Sequence, residues 1–141
     1  MPFCHAELRA PKPKPEQYPK EINSLGDHIR TRRLDLKLLQ RQVAEQIGVY
    51  EATITNWERN ASTPVIRYIP AIIRFLGYDP LPPASSLPER LVSARRELGL
   101  TQRKMAELLS VDPGTLQGWE AGEHQPTQGS LEVIERFLQS R

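Results

Sequence analysis

The sequence has a single cysteine, Cys4, in 141 residues, so an internal disulfide is excluded. It has no continuous apolar run near the roughly 20 residues that a membrane span needs, and its start lacks the apolar core of a secretory signal. The formal net charge is only +2, with a pI of about 8.8, so any electrostatic argument has to be local. These absences predict a cytoplasmic protein that does not cross a membrane.

Motifs of catalysis and cofactor binding are missing as well. There is no Gly-rich phosphate loop and no convincingly placed Ser-His-Asp or Cys-His set. Cys4 and His5 are neighbours, but the other histidines, His28 and His124, are scattered, so we expect no metal site and no cofactor. No feature predicts a small-molecule ligand. The sequence therefore predicts a protein that is not an enzyme.

What the chain does contain is an internal duplication. Residues 40–58 read QRQVAEQIGVYEATITNWE, and residues 102–120 read QRKMAELLSVDPGTLQGWE, which places Trp119 at a shift of 62 from Trp57. Over the 53 position pairs from 24/86 to 76/138, 18 are identical. Chance pairing at ordinary amino-acid usage gives about three. The chain is therefore built from two copies of one unit.

The repeated stretch has the pattern of a helix, a tight turn and a second helix. Its apolar residues are spaced so that two short helices, 40–47 and about 50–59, can share one core. Gly48 lies between them and supplies the positive φ that a sharp corner needs. This is the helix-turn-helix pattern.

A further helix on each side completes the unit. Ser24 and Asp27 have the spacing of a capping box, which begins a helix through about residue 36 with Ile29 and Leu36 on one face. A fourth helix is predicted over about 66–76, with Pro70 in its first turn, where a missing N–H costs little. The duplication repeats these elements, and the identical pair Leu36 and Leu98 is expected to lie in the two cores.

We expect an all-α protein of two small helix-turn-helix domains with about four helices each. Residues 1–23 would form a flexible Pro-rich tail, residues 24–78 the first domain (unit one), and residues 87–141 the second (unit two). Residues 79–86 contain three prolines and are predicted to be a semi-rigid linker. Fully extended, residues 77–86 would span at most about 35 Å.

One matched set of charges predicts a structural contact. Arg33 and Glu58 recur as Arg95 and Glu120. Each arginine lies late in the first helix of its unit and each glutamate ends the third, so an ion pair between these helices is plausible in both units. The alternative is two solvated surface charges.

Residues 40–64 resemble the Cro/repressor-type (XRE-type, lambda-repressor-like) helix-turn-helix family. The resemblance is carried by Trp57-Glu58, by the Arg33–Glu58 pairing and by the loop to Pro64, and unit two is similar in its core. The family binds double-stranded DNA, usually as a dimer, and regulates transcription. The resemblance therefore implies a DNA-binding regulator, possible homodimerisation and, in a bacterium, association with the nucleoid.

In this family the second helix of the motif enters the major groove, where its side chains outside the core contact bases and phosphates. Acidic and amide side chains read cytosine and adenine, and methyl groups touch thymine. The base readers predicted in unit one are Gln40, Glu51, Ala52, Thr55 and Asn56. The phosphate contacts predicted there are Arg41, Tyr50, Thr53, Arg59 and Arg67.

Unit two departs from this pattern at the reading positions. Pro113, Gly114 and Gly118 replace Glu51, Ala52 and Asn56. Residues 24–78 hold eight Lys/Arg against five Asp/Glu, whereas residues 87–141 hold seven against eight, which disfavours phosphate binding by unit two. We expect unit one to be the main reader and unit two to add phosphate contacts or a dimer surface. Its weaker contacts would come from Gln102, Arg103, Thr115 and Gln117.

Other functions fit the same fold. The chain could be a protein-interaction or antitoxin-like adaptor that acts through its acidic second unit, or a recombination accessory factor that bends DNA. The tail at residues 1–23 is either a basic arm that follows a nucleic-acid backbone or a disordered leader.

Overall fold

The computed structural model describes residues 17–141, and that range contains eight α-helices and no strand. Unit one comprises α1 (Leu25–Asp35), α2 (Gln40–Ile47), α3 (Glu51–Glu58) and α4 (Ile69–Leu76). Unit two comprises α5 (Leu87–Leu98), α6 (Gln102–Leu109), α7 (Pro113–Ala121) and α8 (Gln128–Ser140). The all-α prediction with four helices in each unit is confirmed.

The helix boundaries follow from local caps. The Ser24 hydroxyl accepts from the Asp27 N–H at 3.1 Å, and the Asp27 carboxylate accepts from the Ser24 N–H at 3.2 Å, so the capping box forms. Gly48 ends α2 with φ of 88°. The predicted fourth helix divides into a 3-10 turn (Ile66–Tyr68) followed by α4, and Pro70 lies in the first turn of α4.

The corresponding cap of unit two is built differently. The Ser86 hydroxyl accepts from the Glu89 N–H at 3.3 Å, as the sequence predicts. The Glu89 carboxylate, however, reaches one residue further back and accepts from the Ser85 N–H at 2.8 Å. The Ser85 hydroxyl also donates to this carboxylate, at 3.0 Å, and the two hydrogen bonds lower the pKa of Glu89.

Each unit has its own apolar core, and the two cores use matched positions. Fully buried pairs include Ile29 with Leu91, Val43 with Met105, Ile54 with Leu116, and Ile72 with Ile134. Trp57 and Trp119 anchor the third helix of each unit and are 3% and 5% exposed. The duplication is thus a duplication of packing positions.

The expectation that Leu36 and Leu98 are core residues is wrong, because they are 44% and 41% exposed. Leu36 lies just after the end of α1, and Leu98 is the last residue of α5. At a helix end the chain turns away from the core, so identity between the copies does not imply burial there.

The two units pack directly against each other. The 3-10 turn and α4 of unit one contact α5 of unit two. Gly99, which follows α5 at φ of 69°, lies so close that a Cβ there would be 3.0 Å from Cγ of Pro70. Asp79 binds Arg96 at 3.1 Å, so the start of the linker is held against α5. The linker therefore does not hold the two units apart.

Residues 17–23 form no helix or strand, but they contact α1. The Tyr18 hydroxyl donates to the Asp35 carboxylate at 2.9 Å, which raises the pKa of Tyr18. The rest of the predicted tail, with Cys4 and His5, lies outside the described residues.

Within residues 17–141, no helix is long and apolar enough to cross a membrane. Over the same range, no group of three or more His, Cys, Asp or Glu could hold a metal ion.

Candidate nucleic-acid interface

A buried ion pair joins α1 to the end of α3. The Arg33 guanidinium contacts the Glu58 carboxylate with Nε–Oε2 of 2.8 Å and Nη2–Oε1 of 2.7 Å. Their side chains are only 3% and 2% exposed. Arg33 Nη1 also donates to the Leu38 carbonyl at 3.1 Å. This bidentate pair therefore fixes α3 relative to α1 and to the loop before α2.

The same pair recurs in unit two with more solvent contact. Arg95 and Glu120 approach to 2.8 and 3.2 Å, and Arg95 donates to the Leu100 carbonyl at 3.3 Å. Their side chains are 16% and 5% exposed. Both units thus hold the third helix against the first by the same ion pair, and the pair is less exposed to solvent in unit one.

The glutamine that begins the second helix of each unit joins this pair. Gln40 Nε2 donates to Glu58 Oε1 at 3.3 Å, and Gln40 Oε1 accepts from the Thr55 hydroxyl at 2.8 Å. Gln102 donates to Glu120 at 2.7 Å. Two predicted base readers of unit one, Gln40 and Thr55, are therefore bonded to each other and oriented by Glu58. The sequence did not predict that Glu58 has this second role.

One face of α3 is free of the core. Ile54 and Trp57 are buried beneath it, whereas Glu51, Ala52 and Asn56 are exposed. Tyr50, the N-cap residue of α3, is 85% exposed. Thr53 and Thr55 are half-buried. The residues of α3 that are predicted to contact DNA thus lie on its solvent-facing side, and Tyr50 is exposed at its first turn.

Three arginines predicted to contact phosphate surround this surface. Arg41 and Arg59 are exposed on α2 and at the C-cap of α3. Arg67 is exposed in the 3-10 turn, with its guanidinium 4.7 Å from the centroid of the Tyr68 ring. None of these three forms a salt bridge with another described residue. Their charge is available to an anion.

Tyr68 lies beside this candidate surface, and the sequence analysis did not predict it as part of the site. Its ring packs at 5.8 Å from the Trp57 ring, and its hydroxyl accepts from Arg67 Nη2 at 2.5 Å. It therefore holds Arg67 beside α3. The available signal was an aromatic residue next to an arginine at the start of the predicted fourth helix, where the second copy has Ser130 instead of Tyr68.

The residues of unit two that are predicted to contact DNA are arranged less favourably for binding phosphate than those of unit one. Pro113 begins α7, and the Asp112 carboxylate caps it by accepting from the Gly114 N–H at 3.1 Å. An acidic group therefore lies where unit one has Tyr50. Arg103 lies 3.9 Å from Glu107 in an exposed pair. Thr115 and Gln117 are exposed on α7.

These observations define a class of protein: two helix-turn-helix units, each with its third helix fixed by an Arg–Glu–Gln network. A family model described as Helix-turn-helix matches residues 29–81 and again residues 91–141, which is more than half of the chain. The chain belongs to this DNA-binding family, in its Cro/repressor (XRE) type, with two tandem copies. Comparisons with curated proteins and with solved structures give no match.

Proposed function

We propose that the protein is a sequence-specific DNA-binding transcriptional regulator in which unit one is the main reader. The observation that carries the proposal is the exposed face of α3. Glu51, Ala52 and Asn56 face solvent while Ile54 and Trp57 anchor the helix from below. A rigid helix with a polar outer face is the element that reads base edges in the major groove.

The hydrogen bonds that join Arg33, Glu58, Gln40 and Thr55 orient part of this surface in the free protein. Glu58 is held by Arg33 and in turn holds Gln40, which holds Thr55. Side chains that are fixed before binding lose less conformational freedom when they contact a base. Gln40 and Thr55 thus act together, at the junction of α2 and α3, as one preorganised element of the reading surface.

Phosphate contacts would come from Arg41, Arg59 and Arg67. They lie on α2, at the end of α3 and in the 3-10 turn, so they flank the reading helix on several sides. Unit two has arginine at only one of the three matched positions, Arg103, which faces Glu107. This difference supports unit one as the stronger electrostatic partner.

The experiment begins with selection of bound sequences from a random DNA pool, using the full chain. Affinity is then measured on the selected site and on single-base variants. Asn56→Ala should cost about 1–3 kcal/mol and relax preference at one base pair. Arg59→Ala should weaken all sequences alike and reduce the salt slope by about one.

Gln117→Ala in unit two is the matched control and should have the smaller effect. Unchanged affinity in both Asn56→Ala and Arg59→Ala would exclude unit one as the reader, and a larger loss in Gln117→Ala would reverse the ranking of the units. Binding to a protein partner without a steep salt dependence would indicate the adaptor function instead.

A further inference from the structure

The loop after the third helix returns over that helix in the same way in both units. In unit one the Asn56 carbonyl accepts from the N–H groups of Ala61 and Ser62 at 2.8 and 3.4 Å. In unit two the Gly118 carbonyl accepts from Glu123 and His124 at 2.9 and 3.3 Å. Gly118 matches Asn56, and His124 matches Ser62, at the shift of 62 residues. The backbone hydrogen bonds of this loop are therefore the same in the two copies, while the side chains at the two matched positions differ.

The imidazole of His124 lies over Gly118. A Cβ at residue 118 would be 2.6 Å from Cδ2 of His124, 3.5 Å from Cγ and 3.6 Å from Nε2. Gly118 is buried, whereas Asn56 is exposed. The histidine ring thus occupies the place on α7 from which the asparagine side chain leaves α3.

His124 also lies beside the N-terminal half of α7, which matches the N-terminal half of α3. It lines a groove of about 510 Å³ together with Gly114, Thr115 and Gln125. The residue as a whole is exposed, so the ring covers the helix without being enclosed. A neutral imidazole has both a nitrogen donor and a nitrogen acceptor. Asn56 gives α3 a donor and an acceptor of this kind, and Gly118 cannot give them to α7.

We propose that His124 is the base-reading side chain of unit two. It lies in the loop after α7 and takes the place of a side chain on the helix, since Gly118 has none where unit one has Asn56. The ligand is the edge of a base pair in the major groove of double-stranded DNA. This inference rests on the proposed function and changes one part of it. Unit two then reads sequence through a single loop residue, and Gly118 is required because any larger residue would displace the ring.

The test compares two substitutions of His124 on the DNA selected by the full chain. His124→Ser removes the ring, and His124→Phe keeps a ring over Gly118 but removes both nitrogens. Each should weaken binding about 5- to 100-fold and relax preference at one base pair. Gln125→Ala, in the same groove, is the control and should leave affinity and preference unchanged. Thermal unfolding of each variant shows whether the fold is kept.

A double substitution, Gly118→Asn with His124→Ser, rebuilds the Asn56/Ser62 pair of unit one within unit two. It should recover affinity and change the preferred base at the position that His124 reads. Gly118→Asn alone should displace the ring, so it should lose the base preference that His124 gives and take on the preference of the double substitution.

Separate outcomes overturn the inference and the proposed function. If His124→Ser and His124→Phe bind the selected site as well as the parent chain while Asn56→Ala loses affinity, the inference is wrong and unit one remains the reader. A uniform loss over all sequences would assign His124 to phosphate and also overturn base reading. Absence of salt-dependent DNA binding by the unmodified chain would exclude the proposed function itself.

Discussion

Gly26 of α1 packs against the backbone of Trp57 so closely that a Cβ at residue 26 would lie 1.8 Å from the Trp57 carbonyl oxygen. The contact brings α1 onto the last turn of α3. Around it, the Asn60 amide donates to Asp27 at 3.2 Å, and the Ser24 hydroxyl donates to Asn60 Oδ1 at 2.6 Å. The start of α1 and the end of α3 are therefore joined by backbone contact and by a polar network.

Gly26→Ala should destabilise unit one by about 3 kcal/mol or more, because the obstacle is backbone and α1 has to move. Gly129→Ala is the control, since a Cβ at residue 129 in α8 meets nothing within 4 Å. It should be neutral or stabilise by up to about 1 kcal/mol. Urea unfolding followed by circular dichroism measures both. Equal effects of the two substitutions would show that the close approach does not exist in solution.

The ion pairs Arg33–Glu58 and Arg95–Glu120 should differ in their response to the same substitution. Glu58→Gln removes the carboxylate that is hydrogen-bonded to the buried Arg33 guanidinium, whose side chain is 3% exposed, and should cost about 3 kcal/mol of unfolding free energy. Glu120→Gln should cost less, because Arg95 is 16% exposed and water can solvate its charge. The unfolding free energies of the two variants give the comparison, and a larger loss in Glu120→Gln would contradict it.

The contact between the units can be tested with two glycines of like backbone conformation. Gly99 and Gly122 have φ of 69° and 74°, so alanine at either one carries a similar backbone cost of about 1 kcal/mol. Only Gly99 faces the other unit, where an added Cβ would lie 3.0 Å from Cγ of Pro70, whereas a Cβ at residue 122 meets nothing within 4 Å. Gly99→Ala should therefore lose about 1 kcal/mol more than Gly122→Ala. If the two losses are the same, the α4–α5 contact contributes no measurable stability.

Asp27 should make the stability of unit one depend on acid pH. Burial raises its pKa, but hydrogen bonds from Asn23, Asn60 and Ser24 outweigh that effect, and the pKa is lowered. Because the folded-state pKa is below the unfolded one, the ionised carboxylate stabilises the fold at neutral pH. That contribution is lost as pH falls below about 4, the ordinary aspartate value, through the folded pKa.

Asp27→Asn isolates this contribution from the other carboxylates. The difference in unfolding free energy between the parent chain and Asp27→Asn should be largest near neutral pH and should narrow below about pH 4. Denaturant titrations over a series of pH values measure the difference. A constant difference across the series would mean that the charge of Asp27 is not what stabilises the contact.

The elements that the sequence predicted well depend on neighbours in the chain. The capping box at Ser24, the positive φ at Gly48 and the place of Pro70 in α4 all follow from residues within one helical turn. The cores were also predictable, since the two copies keep apolar residues at matched positions. Leu36 was predicted wrongly because its match with Leu98 reflects two helix ends that both leave the core.

The sequence by itself determined two helix-turn-helix units and the Arg33–Glu58 pairing, because spacing along helices and comparison of the copies carry that information. Only the tertiary structure decided that α4 packs on α5, that Gln40 is held by Glu58 and that His124 covers Gly118. These contacts depend on the direction in which each loop returns and on the space a missing side chain leaves. The spacing of residues along one chain determines neither the loop direction nor this space.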